Sequence, residues 1–165
     1  MKEVTKNEPA TLAGAPATPL DPIAPVTSGS VPAAFAAGLA ASLVGAGLWA
    51  VITISAHMQI GFMAVGVGFL VAWAVRRFGQ GTQPVYGVIG AALALFGCVG
   101  GNLLSACGFL AAAQGKPFSE VLNGVLADPA LGVRLLQATF NGMDVVFYAI
   151  AVYEGYTLAR RPARG

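Results

Sequence analysis

Between Asp21 and Arg76 the chain carries no Asp, Glu, Lys or Arg, and between Arg77 and Lys116 it again carries none. Charge gaps of this length fit helices that face lipid and little else. Composition points the same way. The 165 residues are 56% hydrophobic and 10% charged, whereas a soluble domain normally carries about 25% charged side chains. So few charges cannot make a water-soluble surface over this length. No basic cluster is dense enough to suggest a nucleic-acid partner.

The apolar run that best defines a span is 58–79, which ends abruptly in Arg76-Arg77 and then turns through Gly79-Gln80-Gly81. From Met58 to Val75 it runs about 18 residues, or roughly 27 Å as a helix, close to the thickness of a bilayer's hydrocarbon core. Three further spans are expected around it, at about 32–56, 84–113 and 142–159. Pro32 and Pro84 stand at natural helix starts. The connection 56–59 is short enough to make the first two spans antiparallel neighbours. Small residues recur at helical spacing: Ala34, Gly38, Ala41 and Gly45 in span one, and Gly61, Ala64, Gly68 and Ala72 in span two. Span three has Gly90, Ala94, Gly97, Gly101, Ser105 and Gly108. Such stripes let backbones approach, and in lipid close packing holds helices together. Gly38, Gly45, Gly61, Gly68, Gly97, Gly101 and Ser105 are therefore expected at helix contacts. Span three is about 30 residues, longer than the hydrocarbon requires, and must tilt, project or break near Gly100-Gly101.

The segment before the first span, 1–31, is rich in Pro, Ala and Thr with almost nothing large to bury, and reads as a disordered tail. Residues 162–165 form a short C-terminal tail. Within 114–140, Lys116-Pro117 marks a break and Asp128-Pro129 looks like an N-cap followed by proline at the first helical position. Short helices at the membrane surface are expected at 117–140, with a re-entrant segment as the alternative.

Polar groups inside spans are costly and mark function, which singles out Asn102, Asp144, Glu154 and, in the turn after span one, His57. Each also has a structural reading. Asn102 can bond a neighbouring backbone, Asp144 can cap a helix start, and Glu154 lies about 9 Å along the axis from Arg160, within reach of a headgroup region. Asp144 and Glu154 are ten positions apart and lie about 80° apart around one helix, so they cannot act as a pair. Cys98 and Cys107 fall on opposite faces of one helix, roughly 13 Å apart, too far for a disulfide. With one histidine no metal-ligand set of the usual kind can be assembled. The chain has no serine-nucleophile, zinc-protease, phosphate-loop or dinucleotide motif. No catalytic residue, metal or cofactor is implied.

Four spans put both termini on one side, together with Lys2, Lys6, Arg76, Arg77, Arg160, Arg161 and Arg164. The opposite side receives only Lys116 and Arg134, each accompanied by an acid. The positive-inside rule then predicts both termini in the cytoplasm.

Three stretches, QIGFMAVGVGFLVAWAVRRFGQG (59–81), VIGAALALFGCVGGNLL (88–104) and MDVVFYAIAVYEGYTLARR (143–161), cover about a third of the chain. Together they resemble an uncharacterised family of small bacterial four-span membrane proteins, some with a zinc-ribbon-like or Pro-rich N-terminal region. No cysteine set precedes span one here, so zinc binding does not carry over. The resemblance implies a bacterial inner-membrane location and draws attention to Arg76, Arg77, Asp144, Tyr153, Glu154 and Tyr156 without giving them roles.

The expected fold is an all-α bundle of four transmembrane helices. The expected partners are the lipid bilayer and, through a spare small-residue face, a second copy or another membrane protein. The first functional expectation is a non-enzymatic component acting through helix contacts. The alternative is a small transporter or channel subunit using Asn102, Asp144 or Glu154.

Overall fold

The computed structural model describes residues 29–58 and 61–162. Nearly all of the expected N-terminal tail, with Lys2 and Lys6, and Arg164 at the other end lie outside them. The described residues form six α-helices and no strand: α1 (Val31–Ala56), α2 (Met63–Gly79), α3 (Pro84–Gln114), α4 (Phe118–Ala127), α5 (Pro129–Thr139) and α6 (Gly142–Ala159).

Helix ends follow local chemistry. Ser30 caps α1, accepting from the Ala33 N–H, with Pro32 in the first turn, where a missing N–H costs nothing. Gly115, at φ 63, closes α3 in the left-handed conformation that glycine adopts without strain. Asp128 accepts from the Ala130 N–H and starts α5 at Pro129. Asn141 and Asp144 form a reciprocal capping box at the start of α6.

α2 begins later than the sequence predicts, at Met63 instead of Met58, and runs through the arginine pair to Gly79. The reason is a close approach. A side chain at Gly61 would stand 2.9 Å from the Phe147 ring and 3.2 Å from an Asp144 oxygen. The chain therefore passes α6 in a turn before helix can start. α3 does not break. It is one continuous helix of 31 residues, and Gly101 serves as a seat for the Trp49 ring, not as a hinge.

α1 packs on α2 and α3, α6 packs on the same two helices, and α2 meets α3 across the short diagonal. Chain direction alternates. Ser30 N–H donates to Gly79 O at 2.8 Å, joining the start of α1 to the end of α2. Gly68 faces Ala151, and Gly90 faces Gly155, which sets α6 parallel to α2 and antiparallel to α3. The C-terminal turns of α3 project beyond this bundle, where Cys107 and Ala111 form a second core with Val121 and Val125 of α4. α4 and α5 pack only on α3 and each other.

The interior mixes small and polar residues, among them Ala34, Ser42, Ala64, Ala94, Asn102 and Ala151, with a few larger ones, Trp49, Val71, Val75 and Tyr86. Large apolar side chains point outward, among them Leu43, Leu48, Phe69, Trp73, Phe96 and Val145, each at least 50% exposed. That distribution suits a solvent of hydrocarbon and is untenable in water. α1 and α3 are long and apolar enough to cross a membrane, and α5 with α6, bent by 106° between them, makes up to a third crossing. At 17 residues α2 is shorter than the ~20 residues of a typical span.

Candidate functional site: a buried polar cluster

α1, α3, α5 and α6 bring polar side chains together at the end of the bundle covered by α5. On α6, Asp144 and Tyr148 are one helical turn apart and both turn inward. On α1, Trp49 and Thr53 have the same spacing and are wholly buried. α3 contributes Asn102 and Ser105, and α5 contributes Thr139 from its last turn.

Asn102 is the hub. Its Nδ2 donates to the Tyr148 hydroxyl at 3.2 Å, and its Oδ1 accepts from Thr139 Oγ1 at 3.1 Å. Tyr148 in turn donates to the Cys98 carbonyl at 3.2 Å. Its ring meets Trp49 edge-on at 6.4 Å between centroids and Phe140 at 5.7 Å. Three helices are thereby linked through side chains whose alternative in lipid is an unmade hydrogen bond. Two polar atoms in this region stay unsatisfied: Trp49 Nε1 and Thr53 Oγ1 are buried and have no partner.

Asp144 is almost fully buried, and its Oδ2 accepts from the Asn141 N–H at 2.9 Å. The cap foreseen at the interface is made inside the protein. Ser105 bonds back to Gly101 O at 2.7 Å, and Ser42 to Leu93 O at 2.9 Å. The other two candidates stand apart. His57 is exposed at the C-cap of α1, with Nδ1 3.1 Å from Ser55 O. Glu154 lies ten residues along α6 from Asp144, with Oε2 buried and unpartnered. No three His, Cys, Asp or Glu side chains come together among the described residues. Neither His57 nor either carboxyl of α6 hydrogen-bonds a serine, threonine or cysteine side chain.

The expected packing glycines sit at contacts within the chain. A Cβ at Gly38 would press on Val75 and Leu93, at Gly45 on Val67, and at Gly68 on the Ala151 backbone. At Gly97 it would meet Val67 and Ser42, and at Gly101 the Trp49 indole. The span-three stripe is met by α1, α2 and α6 of the same chain, at Gly101, Gly97 and Gly90 respectively. Gly47 and Gly66, by contrast, face open space.

Arg76 and Arg77 lie in the last turn of α2, and Arg160 and Arg161 follow α6, so all four sit at one end of the bundle. Arg160 Nη1 donates to the Tyr156 hydroxyl at 2.9 Å, and its guanidinium lies 5.0 Å above that ring's centroid. At the far end, exposed Lys116 pairs with Glu120 at 2.6 Å.

Asn102 and Asp144 were conspicuous in the sequence; Thr139 and Tyr148, which bond Asn102, and the buried Trp49 and Thr53 were not. The available signal was the four-residue spacing of Trp49 with Thr53 and of Asp144 with Tyr148, inside otherwise apolar runs. No protein-family model matches the chain, and no curated protein or solved structure matches it.

Proposed function

We propose that the chain is a four-span integral protein of the bacterial inner membrane, with α1, α2, α3 and α6 crossing and α4–α5 lying at the far surface. It acts as a non-enzymatic component, working through its outer helix surfaces on a membrane partner or a second copy. The observation that carries this reading is the inside-out sorting of side chains. Polar groups are spent on ties between helices, and the outward faces of α1, α2, α3 and α6 are large and apolar. With the small-residue stripes engaged internally, contact with another chain falls to faces that remain open, such as those of Gly47 and Gly66. The positive-inside rule assigns the arginine-bearing end to the cytoplasm.

Native mass spectrometry of protein extracted gently from its own membrane tests the proposal. A defined homo-oligomer or a stoichiometric co-purifying membrane protein is expected; a bare monomer under all gentle conditions would overturn it.

A second reading, a small transporter or channel subunit, is favoured by the unsatisfied Trp49 Nε1 and Thr53 Oγ1 beside the Asn102–Tyr148 hub. Unpaired buried polar atoms are costly unless something occupies the site with them. Ion or proton flux in liposomes that falls with Asp144→Asn or Glu154→Gln would favour it; absence of flux would remove it.

A further inference from the structure

Among the described carboxyl side chains, Glu120 pairs with Lys116, Asp128 caps α5 and Asp144 caps α6. Glu154 alone has no hydrogen bond or ion pair; its side chain is half-buried, with Oε2 enclosed. Its place follows from its helix face. Phe147, Ala151, Glu154 and Leu158 recur at helical spacing, and Phe147 and Ala151 meet Gly61 and Gly68 of α2. Glu154 therefore lies on the side of α6 turned to α2.

Its depth follows from two helices independently. It is six residues from Arg160, about 9 Å along α6. Its neighbour Gly155 abuts Gly90, itself six residues, again about 9 Å, inside the start of α3. Where α6 crosses, a hydrocarbon half-thickness of about 15 Å puts the carboxyl within the bilayer.

Among the described residues no cation stands within ion-pair distance of it, and Arg160 Nε, six residues on, is likewise buried and unpartnered. On α2 the cations Arg76 and Arg77 lie in the last turn, and Arg77 stacks by Phe78. On α3 the titratable groups are Tyr86, near the helix start, Cys98 at the middle and Cys107 beyond it. On α6 itself Arg160 is engaged with Tyr156 through Nη1 only, Tyr153 and Arg161 are exposed, and Asp144 and Tyr148 belong to the polar cluster at the other end. A carboxylate in hydrocarbon with no partner is expensive, and taking up a proton removes the charge.

We propose that Glu154 is a proton-binding site within the membrane, a neutral carboxylic acid at pH 7 held in the seam between α2 and α6. Its ligand is the proton itself, and release of that proton places an uncompensated charge between two packed helices. This inference rests on the reading of α6 as a membrane span.

Dicyclohexylcarbodiimide, which partitions into lipid and reacts with protonated carboxyls, is the direct probe. The acid O–H adds across one C=N bond, the carboxyl oxygen joining carbon and the proton joining nitrogen. The O-acylisourea then rearranges to a stable N-acylurea, and nothing leaves. Intact protein in native membranes at pH 7 is expected to carry one adduct, located by peptide mass spectrometry on Glu154. Labelling is expected to fall at least tenfold between pH 7 and pH 10 and to vanish in Glu154→Gln, which mimics the neutral acid. Labelling of Glu154 only by a water-soluble carbodiimide, or not at all, would overturn the proposal. So would protection in native membranes that is lost on purification, since a partner's group would then hold the carboxyl. Single cysteines at Met143 and Arg161, probed with an impermeant maleimide, separate the two failures. Accessibility from opposite sides with no adduct sinks the proton site alone, and accessibility from one side sinks the spanning reading with it.

Discussion

Tyr148 and Thr53 make opposite demands on the same buried environment. The tyrosine hydroxyl accepts from Asn102 and donates to Cys98 O, so both its capacities are used, whereas the threonine hydroxyl is buried and unused. Removing a bonded polar group strands its partners, while removing an unbonded one relieves a cost. Tyr148→Phe, which keeps the ring against Trp49 and Phe140, is expected to destabilise the protein by about 1 kcal/mol. Thr53→Val, close in shape, is expected to leave stability unchanged or raise it by up to about 1 kcal/mol. Unfolding titrations in mixed micelles measure both. A Thr53→Val variant clearly less stable than the parent would show that its hydroxyl holds something, and would favour the transport reading.

At the scale of elements, the glycines divide into two kinds. Gly155 lies on the Gly90 carbonyl, where an added Cβ would stand 2.7 Å from backbone oxygen. No rotamer relieves such a clash. Gly155→Ala is expected to cost about 2 kcal/mol or more by forcing α3 and α6 apart. Gly47→Ala and Gly66→Ala have open space around the new methyl. They are expected to be neutral or to stabilise by up to about 1 kcal/mol through helix propensity. The same titration distinguishes the groups, and equal losses at all three positions would contradict the helix contacts described.

α1 and α3 were legible because an apolar run opened by proline has few other readings, and α5 because Asp128-Pro129 signals a start. The start of α2 was not. Helix there yields to the close passage of Gly61 past Phe147 and Asp144, residues more than eighty positions away. The polar cluster was half legible. A lone Asn or Asp in an apolar run is conspicuous, but Tyr148, Thr139 and Trp49 acquire their roles only from helices brought beside them. The glycine stripes announced close packing but could not say whether the surface opposite belonged to this chain or another.

For the molecule as a whole, everything turns on how many helices cross. α1 and α3 are long enough by themselves, whereas α2 and α6, at 17 and 18 residues, are nearer the minimum. Their alternating directions, and the gathering of Arg76, Arg77, Arg160 and Arg161 at one end, require a single orientation if all four span. Site-directed labelling with an impermeant maleimide tests this most directly. Single cysteines at His57, Gln80, Lys116 and Arg161 would be placed in a Cys98→Ala, Cys107→Ala background and probed in intact cells and inverted vesicles. His57 and Lys116 are expected to be labelled only from outside, and Gln80 and Arg161 only from the cytoplasmic side. His57 and Gln80 labelled from the same side would mean that α2 does not cross, and would contradict the four-span bundle.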